Sequence, residues 1–170
     1  MGAHDHKEKA AREAVARCAV LTVSDSRTRD SDVSGRKAGE LLAAAGHEVP
    51  LRAIVANDRA AVAAAVEEAL RDHDVVLTVG GTGPSRKDGS VEAVRPLLEK
   101  ELPGFGELFR ARSAQEIGTA AILSRALLGT TASGRIVVCL PGSEGAVRLA
   151  VQDILLPELK HLLWELRRYA

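Results

Sequence analysis

Aromatic side chains are almost missing from this chain of 170 residues, of which Phe, Trp and Tyr together make up 2%. They are Phe105, Phe109, Trp164 and Tyr169. Surfaces that bind single-stranded nucleic acid stack bases on several such rings, so this sequence excludes that kind of surface. The core must instead be filled by Val, Leu, Ile and Ala, which suits helices packed closely on a sheet.

An excess of charge of either sign is also missing. The 23 Lys and Arg residues balance 23 Asp and Glu residues, so the formal net charge is zero. No overall electric field then draws the protein to nucleic acid or to an anionic membrane. We expect neither as a partner, and any anion that the protein binds must be held by a local site.

Cysteine is scarce, and long apolar runs are absent. Cys18 and Cys139 each lie in an apolar stretch without a second cysteine at CxxC spacing, which indicates buried core residues in a reducing compartment. No run approaches the roughly 18 apolar residues of a membrane span, and the first 17 residues lack the apolar stretch of a signal peptide. We therefore expect a cytoplasmic protein.

The length predicts one domain, residues 18–170, preceded by a flexible arm, residues 1–17. The arm mixes charges of both signs with small residues and carries His4 and His6 on either side of Asp5. A mobile terminus gives metal ligands no rigid geometry, so these histidines are interpreted as solvated.

From Cys18 onward, apolar runs of strand length alternate with longer segments of helical periodicity. This pattern is typical of βα units around a largely parallel sheet and predicts an α/β fold. Three of the four predicted strands are almost purely apolar, as expected when helices cover both faces of the sheet. The predicted strands are residues 18–23, 49–55, 74–79 and 135–140.

Capping and breaking residues predict the helix limits. The first helix is expected from Ser34 to Ala45 with Gly46 as a left-handed cap, the second from Asn57 or Asp58, and the third after Ser90 as far as Pro103-Gly104. Ser113 and Glu116 form a capping box for a helix that Gly129 ends. The last helix is expected to start at Ser143 and to kink near Leu156, because Pro157 follows.

The segment after the third predicted strand is rich in glycine and predicts a phosphate-binding loop. Its residues are Gly80, Gly81, Thr82 and Gly83, followed by Arg86, Lys87 and Asp88. Glycines let the backbone approach a ligand and turn N–H groups toward an anion, and the Thr82 hydroxyl adds a donor. The segment matches neither the Walker loop nor the GxGxxG fingerprint, so the standard nucleotide folds are not predicted.

Two other loops are predicted to reach the same edge of the sheet, where the carboxyl ends of parallel strands gather. Pro141, Gly142 and Ser143 lead from the fourth strand into a helix start, which suits a phosphate, and Ser143 either caps the helix or faces the ligand. The polar loop that begins with Ser24 and Asp25 follows the first strand, either as a solvated loop or as a lid.

Asp58 and Asp88 are the candidate acidic residues of this edge. They are predicted to hold Mg²⁺, which prefers one or two carboxylates together with substrate phosphates. The sequence shows no Ser/His/Asp or Cys/His pairing, and the remaining histidines, His47, His73 and His161, are interpreted as structural. Chemistry by positioning and charge neutralisation, as in phosphoryl or nucleotidyl transfer, is therefore favoured.

Together these segments resemble the MoaB/MogA family of molybdenum cofactor biosynthesis proteins, which is related to the gephyrin G domain. The resemblance extends over about residues 18–160. It rests on the order of LTVSDSR, VLTVGGTGPSRKDGSVEAV, LPGFGELFRARSAQEIGTAAILSRALLG and LPGSEGAV.

The resemblance implies a three-layer α/β/α domain with a mostly parallel central sheet, which binds molybdopterin and assembles as a homotrimer or homohexamer. It also implies adenylylation of molybdopterin by Mg-ATP with release of pyrophosphate. By position, Asp88 and Asp58 match the acidic catalytic residues. The residues that match the pterin and phosphate loops are Gly80 to Gly83, Pro141 to Ser143, Ser24 and Asp25. The resemblance also makes Ser113, at the start of the EIG helix, a candidate to face the ligand.

The segments EIGTAAILSRALLG and IVANDRAAV resemble the MoaB branch more than MogA, and MoaB proteins are thought to include some that do not adenylylate the pterin. Residues 89–93 read GSVEA where VTPEA is commoner, which removes a proline at a helix start and places a glycine beside Asp88. The alternative hypothesis is therefore a non-catalytic molybdopterin carrier of the same pathway, with other cofactor-biosynthesis proteins as partners.

Overall fold

The computed structural model describes residues 14–168. Most of the predicted arm, including His4 and His6, lies outside the described residues. Ala14 and Ala16 are buried against the core, and Arg17 already belongs to the first strand. The packed part of the chain therefore begins before Cys18.

Six strands form one mixed sheet with the spatial order β2-β1-β3-β6-β5-β4. They are β1 (Arg17–Val23), β2 (Glu48–Val55), β3 (Val75–Val79), β4 (Lys100–Glu101), β5 (Leu127–Thr130) and β6 (Ile136–Leu140). β2, β1, β3 and β6 are mutually parallel, whereas β5 runs antiparallel to β6 and β4 antiparallel to β5. The four predicted strands and the mostly parallel sheet are confirmed, and β4 and β5 are additions to them.

Helices cover both faces of this sheet. They are α1 (Val33–Ala44), α2 (Arg59–Asp72), α3 (Ser90–Val94), α4 (Pro103–Ile117), α5 (Glu144–Arg148) and α6 (Leu156–Arg167), with 3-10 turns at Arg95–Leu97 and Gly118–Leu123 and a π-helical segment at Leu149–Leu155. Along β3, Val75 and Leu77 face one buried cluster, which contains side chains of α1, α4 and α6. Val76 faces the other cluster, which contains side chains of α2 and α3. Alternate strand residues thus point to opposite faces, and the three-layer architecture is confirmed.

The prediction for residues 90–129 was wrong in its helix limits. The third helix ends before Pro103, which instead begins α4, a position where its missing N–H costs nothing. Phe105, Phe109 and Ser113 are buried at a spacing of four residues, so one continuous helix packs this stripe on the sheet and Ser113 does not open a helix. Gly129 lies within β5 and ends no helix.

The other caps agree more closely with prediction. Asp58 caps α2 by accepting a hydrogen bond from Ala61 N at 2.9 Å, and Gly46 adopts a left-handed φ of 88° after α1. Asp32, two residues before Ser34, is the observed cap of α1. Ser143 caps α5, and the helix beyond it changes from π-type to α-type hydrogen bonding at Leu156, where the kink was predicted.

Both cysteines are free and buried, as predicted. Burial raises the pKa of the Cys18 thiol to about 12 and that of the Cys139 thiol to about 12, so neither is a reactive thiolate near neutral pH. Along residues 14–168, no helix is both long enough and apolar enough to cross a membrane.

His47 anchors the residues just before β1, because its Nδ1 accepts a hydrogen bond from Ala16 N at 3.2 Å. His47 is 5% exposed. Burial, with a smaller contribution from Lys160, lowers the pKa of His47 below its usual value. Both influences favour the neutral ring that this hydrogen bond requires.

We expect His47 to make the stability of the protein depend on pH. Because its pKa is lower in the folded state, the unfolded chain binds the proton first as the pH falls below about 6.5. The contribution of His47 is complete above that pH and is lost as the pH falls toward the pKa of the folded state. Urea unfolding between pH 7.5 and 5 should give a steeper loss of stability for the wild type than for His47→Gln, and equal slopes would contradict this assignment.

Candidate active site at the carboxyl edge of the sheet

The strand order places a crevice at the carboxyl ends of β1 and β3. From β1 the chain crosses to β2 on one side, and from β2 it returns past β1 to β3 on the other side. The loops that leave β1 and β3 therefore diverge, which is the position where open α/β sheets bind ligands. β6 lies next to β3, so its loop joins the same edge.

The glycine-rich loop after β3 packs backbone against backbone on the neighbouring loops. Gly80 has a φ of 109°, and a Cβ atom there would lie 2.5 Å from the carbonyl oxygen of Val23 at the end of β1. A Cβ atom on Gly142, in the loop after β6, would lie 3.4 Å from Gly80 Cα. The three loops thus meet at Gly80, which explains why this position needs a glycine.

Two buried serines lock these loops in place. Ser90 Oγ donates to the carbonyl oxygen of Gly80 at 2.8 Å, and Ser34 Oγ donates to that of Gly142 at 2.7 Å. The sequence pointed to both serines as helix starts, not as supports of the site. Ser90 also belongs to the segment GSVEA that departs from the commoner pattern, and its hydroxyl proton is donated inside the loop.

A cleft of about 770 Å³ opens beside the glycine loop. Its lining is strongly charged and includes Asp58, Asp88 and Glu92 together with Arg59, Arg86, Lys87 and Arg125. The structure thus brings the two predicted carboxylates into one cleft with both cations of the loop. Within the glycine-rich segment, the residues that line the cleft start at Pro84. Gly80 to Gly83 therefore support the cleft without forming its wall, and Thr82 is buried.

Each predicted carboxylate uses one oxygen in a main-chain hydrogen bond. Asp58 is exposed, and its Oδ1 holds the start of α2 through Ala61 N. Asp88 is half-buried, and its Oδ2 accepts a hydrogen bond from Ser85 N at 3.2 Å. A Cβ atom on Gly83 would lie 2.8 Å from this oxygen, so the Asp88 carboxylate rests directly on the glycine loop.

The donor set of the cleft suits Mg²⁺ held jointly with a substrate. Among residues 14–168, no three His, Cys, Asp or Glu side chains form a group that could hold a metal ion. Two carboxylates facing a cleft are nevertheless the usual protein contribution to Mg²⁺, which keeps waters and takes substrate phosphates as its other ligands. Asp58 and Asp88 therefore fit this cation.

The polar loop after β1 is tied to the cleft through the loop after β2. Asp25 Oδ1 accepts a hydrogen bond from Asn57 N at 2.9 Å, and Asn57 lines the cleft. Ser24 Oγ accepts hydrogen bonds from the main-chain N–H groups of Ser26 and Arg27. These contacts hold the start of the loop in one conformation.

The remaining predicted site residues lie in different surroundings. Ser143 is exposed and accepts a hydrogen bond from Ala146 N at 3.2 Å, so it acts as the cap of α5. Pro141 and Gly142 lie in the same turn, beside Gly80. Ser113 is buried within α4, and it is not part of the lining of the cleft in the described region.

Arg125 belongs to the site but was not predicted from the sequence. Its Nε donates to Thr82 O at 3.1 Å, and its Nη2 donates to Gly83 O at 2.9 Å and to Asp88 O at 3.2 Å. It also forms an ion pair with Glu92. The hydrogen bond from Arg125 and, to a smaller extent, its charge lower the pKa of Glu92 below the usual range. The signal in the sequence was a cation in the largely apolar segment AILSRALL.

Comparison with known proteins agrees with this architecture. A family described as "Probable molybdopterin binding domain" matches residues 19–161. Molybdenum cofactor biosynthesis protein B of Bacillus cereus is 47% identical over 171 residues, which covers 99% of each chain.

Solved structures give the same result. A crystal structure of a molybdenum cofactor biosynthesis protein B is 48% identical, with a TM-score of 0.87 over 91% of this chain and 98% of that one. The tungsten cofactor synthesizing protein MoaB from Pyrococcus furiosus is 38% identical, with a TM-score of 0.82 over 91% of this chain and 99% of that one. The chain therefore belongs to the MoaB/MogA family of molybdopterin-binding domains.

Proposed function

We propose that this protein acts in molybdenum cofactor biosynthesis by adenylylating molybdopterin with Mg-ATP. One observation carries the proposal: Asp58 and Asp88 line a single cleft with Arg86 and Lys87, beside a glycine loop at the carboxyl edge of the sheet. Carboxylates for a cation and cations for phosphates, without a covalent nucleophile, are the requirements of nucleotidyl transfer.

In the proposed reaction, a terminal phosphate oxygen of molybdopterin attacks the α-phosphorus of ATP. The bond between the α-phosphorus and the bridging oxygen to the β-phosphate breaks, and pyrophosphate leaves with that electron pair. Arg86 and Lys87 are exposed and line the cleft, and in this reaction they would neutralise the phosphate oxygens. Positioning and charge neutralisation of this kind supply most of the rate enhancement in such reactions.

Asp58 and Asp88 would hold Mg²⁺ in this reaction. The cation, when bound, would neutralise charge on the nucleotide phosphates. The two carboxylates contribute fixed orientations, since each is held by a main-chain N–H group.

The test uses the purified protein with molybdopterin, ATP and Mg²⁺. We expect adenylyl-molybdopterin and pyrophosphate to appear in equal amounts, and both to vanish when Mg²⁺ is chelated. A protein that binds molybdopterin but releases no pyrophosphate above the blank would contradict the proposal.

A second candidate function is a molybdopterin carrier without chemistry. It is favoured by Gly89, which precedes α3 without a side-chain cap and adjoins Asp88. Calorimetry separates the two functions, because a carrier binds the pterin tightly without measurable affinity for ATP, whereas the enzyme binds ATP only with Mg²⁺. Contacts with other cofactor-biosynthesis proteins belong to either function. For the enzyme we propose the cytoplasm, where ATP is available.

We also propose that the chain assembles as a homotrimer or homohexamer. Four large apolar side chains on α4 and the 3-10 turn after it are exposed, namely Leu108, Ile117, Ile122 and Leu123. Ile122 is 77% exposed, and burial of such side chains between copies would stabilise an assembly.

Replacing Ile122 with glutamate should shift the protein toward the monomer, because a charge would have to be buried at the interface. Light scattering coupled to size-exclusion chromatography measures this shift. Val15→Glu is the control, since Val15 is also exposed but lies before β1. An Ile122→Glu protein with the mass of the wild-type assembly would rule out this surface.

A further inference from the structure

The side chain of Arg125 forms hydrogen bonds with both ends of the glycine loop. Its guanidinium binds Thr82 O and Gly83 O at the start of the loop and Asp88 O at the end of it. These acceptors lie 37 to 43 residues away in sequence, so the contact exists only in the folded chain. We infer that Arg125 is a positioning residue, which holds Asp88 and the loop in the arrangement that the proposed nucleotidyl transfer requires.

The shape of the Arg125 guanidinium restrains the loop. The guanidinium is planar, and its N–H donors leave it in fixed directions, so carbonyl groups bound to it cannot move independently. Nε donates a hydrogen bond to Thr82 O, whereas Nη2 donates to both Gly83 O and Asp88 O. The two ends of the loop are therefore held at a fixed separation, and lysine, a point donor on a flexible stem, cannot reproduce this.

Asp88 is attached to the rest of the domain through Arg125. Within the turn, Asp88 N donates to Ser85 O at 3.0 Å, and the Asp88 carboxylate accepts from Ser85 N at 3.2 Å. These bonds close the turn on itself but do not attach it to the rest of the domain. The bond from Arg125 to Asp88 O provides such an attachment, and Arg125 leads directly into β5 at the sheet.

The donors of Arg125 are engaged by the protein and not directed at a substrate anion. Arg125 lines the cleft, and an unpaired arginine there would be an anion ligand. Its charge is instead paired with Glu92, and Nε, Nη1 and Nη2 all donate to groups of the protein. Arg125 thus acts on the substrate through the loop and through Asp88.

The experiment replaces Arg125 with lysine, which keeps the charge but loses the fork of donors. In the full-length protein we expect kcat for adenylyl transfer to fall about 100-fold, as for other displacements of about 1 Å at a reacting centre. The KM for ATP should change less than about threefold, because Arg86 and Lys87 remain. Hydrogen exchange of the amides of residues 83–88 should become faster while β1 and β3 keep their protection.

Arg112→Lys is the matched control. Arg112 lies on α4, and its Nη1 donates to Asp153 O at 3.2 Å, which is a single bond to a main-chain carbonyl. Neither residue lines the cleft in the described part of the chain. This variant should leave kcat and the exchange of residues 83–88 unchanged.

Three outcomes would overturn the inference. They are an Arg125→Lys protein with wild-type kcat and loop exchange, a rise in KM for ATP without a fall in kcat, and faster exchange throughout the sheet, which indicates general destabilisation. If the wild type makes no adenylyl-molybdopterin, the proposed function fails by itself. The exchange experiment then decides alone whether Arg125 holds Asp88 and the loop.

Discussion

Replacement of Asp88 by asparagine should reduce adenylyl transfer by about 10³-fold while molybdopterin still binds. Asparagine has the size of aspartate and can still accept the hydrogen bond from Ser85 N, so the turn keeps its shape. It lacks the negative charge that the proposed magnesium site requires. The loss should therefore appear in turnover and in Mg²⁺-dependent ATP binding, with little change in thermal stability.

Asp72→Asn is the control for this variant. Asp72 is an exposed aspartate at the end of α2, and its carbonyl oxygen accepts a hydrogen bond from Arg17 at the amino end of β1, opposite the cleft. Turnover should match the wild type. Product formation by Asp88→Asn at more than a tenth of the wild-type rate would remove Asp88 from the proposed chemistry.

Replacement of Gly80 by alanine should destabilise the protein by about 3 kcal/mol or more, from backbone strain and steric overlap together. The φ of 109° is a conformation that residues with a Cβ atom rarely adopt. The added Cβ atom would also lie 2.5 Å from Val23 O, which belongs to a central strand and cannot move aside easily. Urea unfolding of both proteins measures the difference.

Gly104→Ala is the matched control for this substitution. Gly104 lies in the first turn of α4, and a Cβ atom there would meet no other atom within 4 Å. Alanine should leave the stability unchanged or raise it by up to about 1 kcal/mol, because it restricts the unfolded chain. If Gly80→Ala were as stable as Gly104→Ala, the close approach of the loops after β1 and β3 would be refuted.

The two additional strands show where prediction from periodicity fails. β4 has two residues, and β5 has four, so neither displays enough of a repeat to be recognised. β5 is defined by antiparallel pairing with β6, and β4 by its pairing with β5. The residues of β5 also follow directly on the segment AILSRA, and the apolar spacing of the combined stretch fits a helix as well as a strand.

The capping box at Ser113 failed for a related reason. A capping pattern indicates only that a helix can begin at a residue. Here Phe105, Phe109 and Ser113 are buried on one face of α4, so the helix continues through Ser113. Asp58 shows the opposite case, since its predicted role as a cap is observed and the same residue also lines the cleft.

The sequence by itself determined the parallel strands, their order along the chain and the three loops that follow them, because these depend on local composition and on periods of a few residues. It also indicated Asp88 in the loop after β3 and Asp58 after β2. Only the tertiary structure decided that these carboxylates share one cleft and that Gly80 is the meeting point of the loops. The same is true of Arg125, whose acceptors lie about 40 residues away, because a contact over that distance depends on how the strands pair and leaves no local pattern.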